Sequence, residues 1–232
     1  DPYLDANQTE EIYNKDLDER VEVYSDEAIE ASKEISFDVI HAHDWLTAIA
    51  ALKIREKSGK PLIFHVHSLN YDRAGPDEQG QIYNLEKQVL QKADHVIAVS
   101  HYTKKICIDY YDADPEKISV IHNGISPIQA YRHPKPFPDH LVVFLGRMTR
   151  QKGPSHFLEI ARKVLSQISN VRFVMAGTGD QLKTLMTKSI RLGIANRCHF
   201  TGFLGREKIR DLLSMADVYC LPSISEPFGL SA

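Results

Sequence analysis

Residues 37–67, "FDVIHAHDWLTAIAALKIREKSGKPLIFHVH", decide the fold. "FDVIHAH" and "PLIFHVH" are short runs that stay apolar on both faces. "DWLTAIAALKIREKSG" between them reads as a helix closed by Gly59. A strand that is apolar on both faces belongs in a parallel sheet covered by helices on each side, so the stretch reads as one βαβ unit. The alternation continues with a helix near Gln81 to Lys92, "HVIAVS", a helix from His101 to about Tyr111, and "KISVIHNG". Ahead of it, residues 1–36 carry 12 acidic and 3 basic residues with few apolar positions, which predicts a solvated segment ending in a helix near Ser25 to Ile35.

Beyond "KISVIHNG", "ISPIQAYRHPKPFPDH" places four prolines between Ser126 and His140 without periodicity, as an interdomain linker does. The pattern then restarts with "HLVVFLG", a helix from Pro154, "VRFVMAG", a helix from Asp180 to Leu192, "RCHFTG", a helix from Gly205, and "DVYCLP". The expectation is two Rossmann-like α/β domains, residues 1–125 and 140–232, joined by a linker over 126–139 and facing each other across a cleft.

Composition agrees with a globular protein, at 43% apolar and 25% charged. The net charge of -3 hides a division: 13 Lys and Arg face 24 Asp and Glu up to Ile125, and 15 face 7 from Ser126 onward. The basic half suits an anion, and its dispersed cations, without aromatic interleaving, favour a small phosphorylated ligand over nucleic acid. The most apolar helix, around "WLTAIAALKI", carries Lys53 and Arg55, so no membrane span is expected. Cys107, Cys198 and Cys220 are odd in number and far apart, which suits core thiols in a reducing compartment, hence a cytoplasmic location. No basic-then-apolar leader opens the chain at Asp1.

Ligands of open parallel sheets collect beyond the carboxyl ends of the strands. There "GRMTRQKGP" supplies Gly146, the cations Arg147 and Lys152, and Pro154 at a helix start, where free amide N–H groups would suit a diphosphate; a solvated basic turn is the alternative. "AGTGD" is a Gly-x-Gly turn lacking the third glycine of a dinucleotide fingerprint, and it reads first as a tight strand-to-helix turn, with a ligand contact as the alternative. His41 with His43, and His65 with His67, share faces by alternation. They suit buried imidazoles paired to carbonyls or to Asp44, with a metal cluster as the competitor. "DAD" at Asp112 to Asp114, ahead of Pro115, reads as a turn. Glu226 follows "DVYCLP" where a helix dipole alone could explain an acid.

Taken in order, "FDVIHAHDW", "FHVHSLNYDRAG", "HVIAVSHYTKKI", "EKISVIHNGI", "LGRMTRQKG", "FVMAGTGD", "HFTGFLGREKI" and "ADVYCLPSISEPFGLSA" resemble the retaining GT-B glycosyltransferases of the glycogen synthase-like family, from Phe37 to the last residue. The resemblance implies that Arg147 and Lys152 bind the diphosphate of a nucleotide sugar and that Glu226, first acid of the family's E-x7-E motif, contacts the donor sugar. It places His67 near that sugar from the opposite domain and Asp44 on the acceptor side. Gly177, Thr178 and Gly179, with Phe203 and Leu204 of "TGFL" and Phe228 and Gly229 beyond Glu226, would line the donor pocket, and Asn123 and Gly124 would mark the crossing into the hinge.

The implied function is retaining transfer of a hexose, glucose by expectation, from ADP- or UDP-glucose to a glycan or sugar acceptor. Fixed cations would stabilise the departing diphosphate, so no metal and no cofactor is expected. Two features depart from the family. The strand and glycine-rich loop that open it are missing, and the second glutamate of E-x7-E falls past the sixth residue after Glu226, where the sequence stops. A fragment truncated at both ends, inactive alone, is therefore expected, because a sheet without its first, central strand leaves edges unpaired. A nucleotide-sugar epimerase of the same fold, a silent nucleotide-sugar-binding fragment and a histidine metal module are the alternatives.

Overall fold

The structure, a computed structural model, describes residues 17–125, 131 and 133–229. These divide into two compact units, residues 17–124 with 227–229, and residues 125–226.

In the first unit α1 (Leu17–Glu34) is followed by β1 (Ile40–His43), α2 (Asp44–Ser58), β2 (Leu62–Val66) and the short α3 (Asn70–Ala74). Then come α4 (Gln81–Lys92), β3 (His95–Ala98), α5 (His101–Tyr111), a 3-10 turn (Pro115–Lys117) and β4 (Ile118–Val120). The strands form a parallel sheet in the order β1-β2-β3-β4. Alternation sends Leu62, Phe64 and Val66, with Val96 and Ala98, into a core closed by Ala48 and Ala51 of α2, Val89 and Leu90 of α4, and Ile106 and Cys107 of α5. Burial pushes the Cys107 thiol up to about 12, an inert core thiol.

Helix α1 starts earlier than the acidic composition suggests. Val21, Ser25 and Ile29 recur every four residues and are buried, a stripe narrow enough to be masked by the surrounding carboxylates. The helix ends follow local chemistry. Gly59 takes φ 66 after α2, and the Ser100 hydroxyl accepts from the Thr103 amide at the start of α5. The "DAD" segment is the turn its residues imply, since Asp114 accepts from the Glu116 amide and caps the 3-10 turn.

Arg55 of α2 donates from Nε and Nη2 to Asp94, each at 3.0 Å, and the Leu62 amide donates to the same carboxylate at 2.8 Å. These donors, Arg55 foremost, hold the Asp94 carboxyl down to about 2. A depressed carboxyl stabilises the fold above its ordinary value of 3.8, and that contribution disappears as pH falls through about 2. The pair is half-exposed, so it is worth about 1 kcal/mol or less. Urea melts of wild type and Asp94→Asn are expected to differ at pH 5 and to converge near pH 2.

The second unit contains β5 (His140–Leu145), a 3-10 turn (Arg150–Lys152), α6 (Pro154–Leu165), β6 (Val171–Ala176), α7 (Leu182–Arg191), β7 (Cys198–Gly202), α8 (Arg206–Met215) and β8 (Val218–Tyr219). Its parallel sheet has the order β7-β6-β5-β8. On one side Phe144, Phe157 and Phe173 stack edgewise or tilted, with centroids 5.6 and 5.7 Å apart, among Met148, Leu158 and Met175. On the other, Leu141, Val143, Ala176 and Leu212 form a second buried cluster, with the partly buried Phe137 and Leu204 packed against it. The proline-rich stretch is fastened here through its last residues: Lys135 bonds Asp217, and Asp139 accepts from Arg172 at 2.7 Å and Arg197 at 3.1 Å. The remainder of that stretch, residues 126–130 and 132, lies outside the described residues.

Among the described residues no helix is long and apolar enough to cross a membrane.

Candidate functional site

The loops leaving β5, β6 and β8 are stitched together by backbone. The Met148 amide donates to the Thr178 carbonyl at 2.8 Å and the Gln181 amide to the Met148 carbonyl at 3.0 Å. Gly177, at φ 135, passes so close to the β5 loop that a Cβ there would stand 2.0 Å from the Gly146 carbonyl oxygen. The "AGTGD" glycines therefore have a packing role of their own. On the other flank, the Ile224 amide donates to the buried Gln151 at its carbonyl, at 2.8 Å, and Gly153 lets the Pro222 backbone approach closely.

This clamp brings two of the expected residues together. Lys152 Nζ donates to Oε1 and Oε2 of Glu226 at 2.7 and 2.8 Å, and the Ser223 hydroxyl donates to Oε2 at 2.8 Å. Their side chains are only 19% and 25% exposed, so the pair is partly desolvated, and its charge-assisted bonds are strong ones. Spacing could not have shown this contact, which joins residues 74 apart in sequence. Arg147 stands on the same loop with its side chain exposed.

The amino end of α6 is less open to an anion than expected. Pro154 has no N–H, Gly153 donates back to the Arg150 carbonyl, and both His156 and Phe157 donate to the Gly153 carbonyl. The 3-10 turn takes the Gly153 amide and the first turn of α6 takes those of His156 and Phe157, so positive charge comes from side chains more than from the helix end. Of the other expected residues, Leu204 is partly buried against the core, Phe203 is exposed, and Phe228 and Gly229 group with the first unit, where the Phe228 ring lies 5.6 Å from that of His122.

In the first unit Asp44 and His67 meet at the strand ends. Asp44 takes φ 55, a left-handed conformation that Asp tolerates better than most residues, and its Oδ1 accepts from the His67 amide at 2.7 Å and the Ser68 amide at 3.3 Å. Desolvation outweighs these donors and pushes the Asp44 carboxyl upward. Its carboxylate thus fixes the backbone that carries His67.

The turn beyond His67 is anchored by Glu86, a residue the sequence reading passed over. Fully buried, Glu86 accepts from the Asn70 amide at 2.8 Å, from Arg73 Nη2 at 2.6 Å and from the Tyr111 hydroxyl at 2.8 Å. Arg73 also donates to the Ser68 carbonyl. A signal was present: Glu86 interrupts the apolar stripe Ile82, Leu85, Val89 and Leu90, where a carboxylate needs dedicated partners.

The histidines correct the expectation of buried rings paired to carbonyls or to Asp44. Asp44 spends its oxygen on backbone amides, and His41 and His43 are exposed. Register explains the arrangement: His43 lies directly opposite His65 on the neighbouring strand, so four imidazoles gather on one sheet face. His65 and His67 stack at 4.2 Å, and His43 Nδ1 lies 3.0 Å from His67 Nε2. Desolvation first, then the neighbouring imidazoles, pushes His65 down to about 4.

The two parallel sheets are those of the GT-B fold. Sucrose-phosphate synthase from Thermosynechococcus elongatus superposes with a TM-score of 0.76 at 22% identity, over 91% of this chain and 57% of that one. Family models for Glycosyltransferase Family 4 and Glycosyl transferases group 1 match residues 22–128 and 128–232. The chain belongs to the glycosyltransferases of the glycogen synthase-like type. An uncharacterized glycosyltransferase of Methanocaldococcus jannaschii is 29% identical over 84% of this chain and 54% of its own length. The alpha-maltose-1-phosphate synthase of Mycolicibacterium smegmatis is 31% identical over 83% and 55%. The chain spans about half the length of the curated relatives it matches.

Proposed function

We propose that the chain is the donor-handling part of a retaining hexosyltransferase that moves a hexose, glucose first among them, from a nucleoside-diphosphate sugar to a glycan or sugar acceptor. The observation that carries this reading is the partly desolvated Lys152–Glu226 pair clamped at the carboxyl end of the second sheet. Lys152 is the cation for a departing diphosphate, and Glu226 is an acceptor for sugar hydroxyls.

In the resting chain the two neutralise each other. A donor whose diphosphate takes Lys152 and whose hydroxyls take Glu226 replaces one charge-assisted contact with two. Negative charge on the diphosphate grows as the glycosidic bond breaks, so Lys152 stabilises the transition state more than the ground state. Arg147, on the same loop, is proposed to share that charge. In the first unit, His67, on a backbone fixed by Asp44, is proposed as a substrate-contacting residue. The Mycolicibacterium relative, named for a maltose phosphate product, supports glucose as the transferred unit. A cytoplasmic location remains the proposal that the free thiols Cys107, Cys198 and Cys220 support.

The test is release of nucleoside diphosphate by the full-length protein from UDP-glucose and ADP-glucose with a glucan or small-sugar acceptor, with NMR of the product's anomeric centre. Acceptor-dependent release with retained configuration is expected. An isomerised sugar nucleotide without transfer would point to an epimerase, and absence of release or binding would remove the proposal.

A further inference from the structure

The histidine face gathers more imidazoles than the proposed donor chemistry uses. His41 and His43 sit two residues apart on β1, so their side chains leave the same face of the sheet, and His65 stands beside them on β2 through the His43–His65 pairing. Their ring centroids form a triangle with sides of 4.4, 5.0 and 5.5 Å. One ligand nitrogen from each of the three lies within 4.8 Å of the other two.

Both ring nitrogens of His65 are buried and have no hydrogen-bond partner among the described residues. Buried polar atoms are normally satisfied, and an imidazole with two idle nitrogens inside a ring of imidazoles asks for a ligand that accepts lone pairs. The neighbouring carboxylate, Asp44, is turned to the His67 and Ser68 amides and does not answer it.

We propose that His41, His43 and His65 bind one zinc ion, or a comparable imidazole-preferring divalent metal, at a three-histidine site that leaves a fourth position open. Tetrahedral zinc takes nitrogen ligands at about 2 Å, which sets them about 3.3 Å apart. Ring rotation on fixed strands covers the difference. Three neutral nitrogen donors select zinc, copper or nickel and offer nothing to magnesium or calcium, which require oxygen. His67, 3.0 Å from His43 Nδ1, then holds the His43 ring in place as a hydrogen-bonded neighbour does for a ligating imidazole. Metal binding thereby joins β1 to β2 and fixes the ring of His67. The ion belongs to the first unit and takes no part in the diphosphate chemistry proposed for Lys152.

The experiment is a titration of the chelator-treated chain with zinc by calorimetry, paralleled by cobalt, whose visible absorption reports tetrahedral nitrogen coordination. Expected are one zinc per chain at micromolar Kd or tighter and no heat with magnesium. Loss of a ligand is expected to weaken zinc at least about a hundredfold in His65→Ala and in His41→Ala, above what loss of an outer partner costs. His95→Ala, a histidine bonded to Ser119 on the same sheet, is expected to bind as wild type does. Millimolar or absent binding by the wild type, or wild-type affinity in the two ligand variants, overturns the proposal. Because His41 is exposed, its variant decides the question even where His65→Ala does not fold.

Discussion

Lys152→Ala is expected to lower kcat/KM for transfer from a nucleotide sugar by roughly 10²- to 10³-fold, the usual cost of removing one fixed donor from a developing negative charge. Because that charge is greatest in the transition state, most of the loss should fall on kcat and less on KM. The substitution also strands Glu226, leaving it with the Ser223 hydroxyl as its remaining described partner. A thermal melt must therefore accompany the kinetics. Glu226→Gln keeps the size of the side chain and removes the charge; it is expected to lose activity while staying folded. If both variants turn over as wild type does, the pair is a structural ion pair and the site lies elsewhere.

The largest loss of stability is expected from Glu86→Ala. A fully buried carboxylate is removed while Arg73, the Tyr111 hydroxyl and the Asn70 amide stay behind, so the cost is that of breaking a buried pair, about 3–5 kcal/mol. Urea unfolding would read this as a lower midpoint at unchanged slope. Glu86→Gln, which keeps an acceptor for two of these donors, should cost less. A change below about 1 kcal/mol in the alanine variant would mean that the turn after His67 does not depend on this network.

Much of the fold is legible in the sequence because its strands obey a simple demand. His140–Leu145 is apolar on both faces because a core packs on each, Leu62–Val66 buries one face and turns Ile63 and His65 to the other, and the glycine and serine caps at Gly59 and Ser100 punctuate what lies between. Where the reading fell short, the deciding contacts were not local. The stripe of α1 is three positions wide within a run of acids, and α3 is a single short turn ordered by Asp72 and Glu86.

The site divides in the same way. Lys152 and Glu226 were each visible, but their contact depends on Gln151 receiving Ile224 and on Gly153 admitting Pro222, features of a loop-on-loop clamp. For the histidines, period-two alternation gives the pairs within each strand and leaves the register between strands unknown. That register, His43 against His65, turns two pairs into a cluster.

The central claim is that the second unit grips a nucleoside diphosphate through Lys152. Its most direct test is calorimetric titration of UDP and of ADP into the wild-type chain and into Lys152→Ala. One site per chain is expected, for at least one of the two nucleotides, with affinity falling by roughly tenfold or more in the variant, the loss of about 1.4 kcal/mol or more from one charge-assisted contact. Binding of neither nucleotide by the folded wild type, or equal affinity in the variant, would contradict the account.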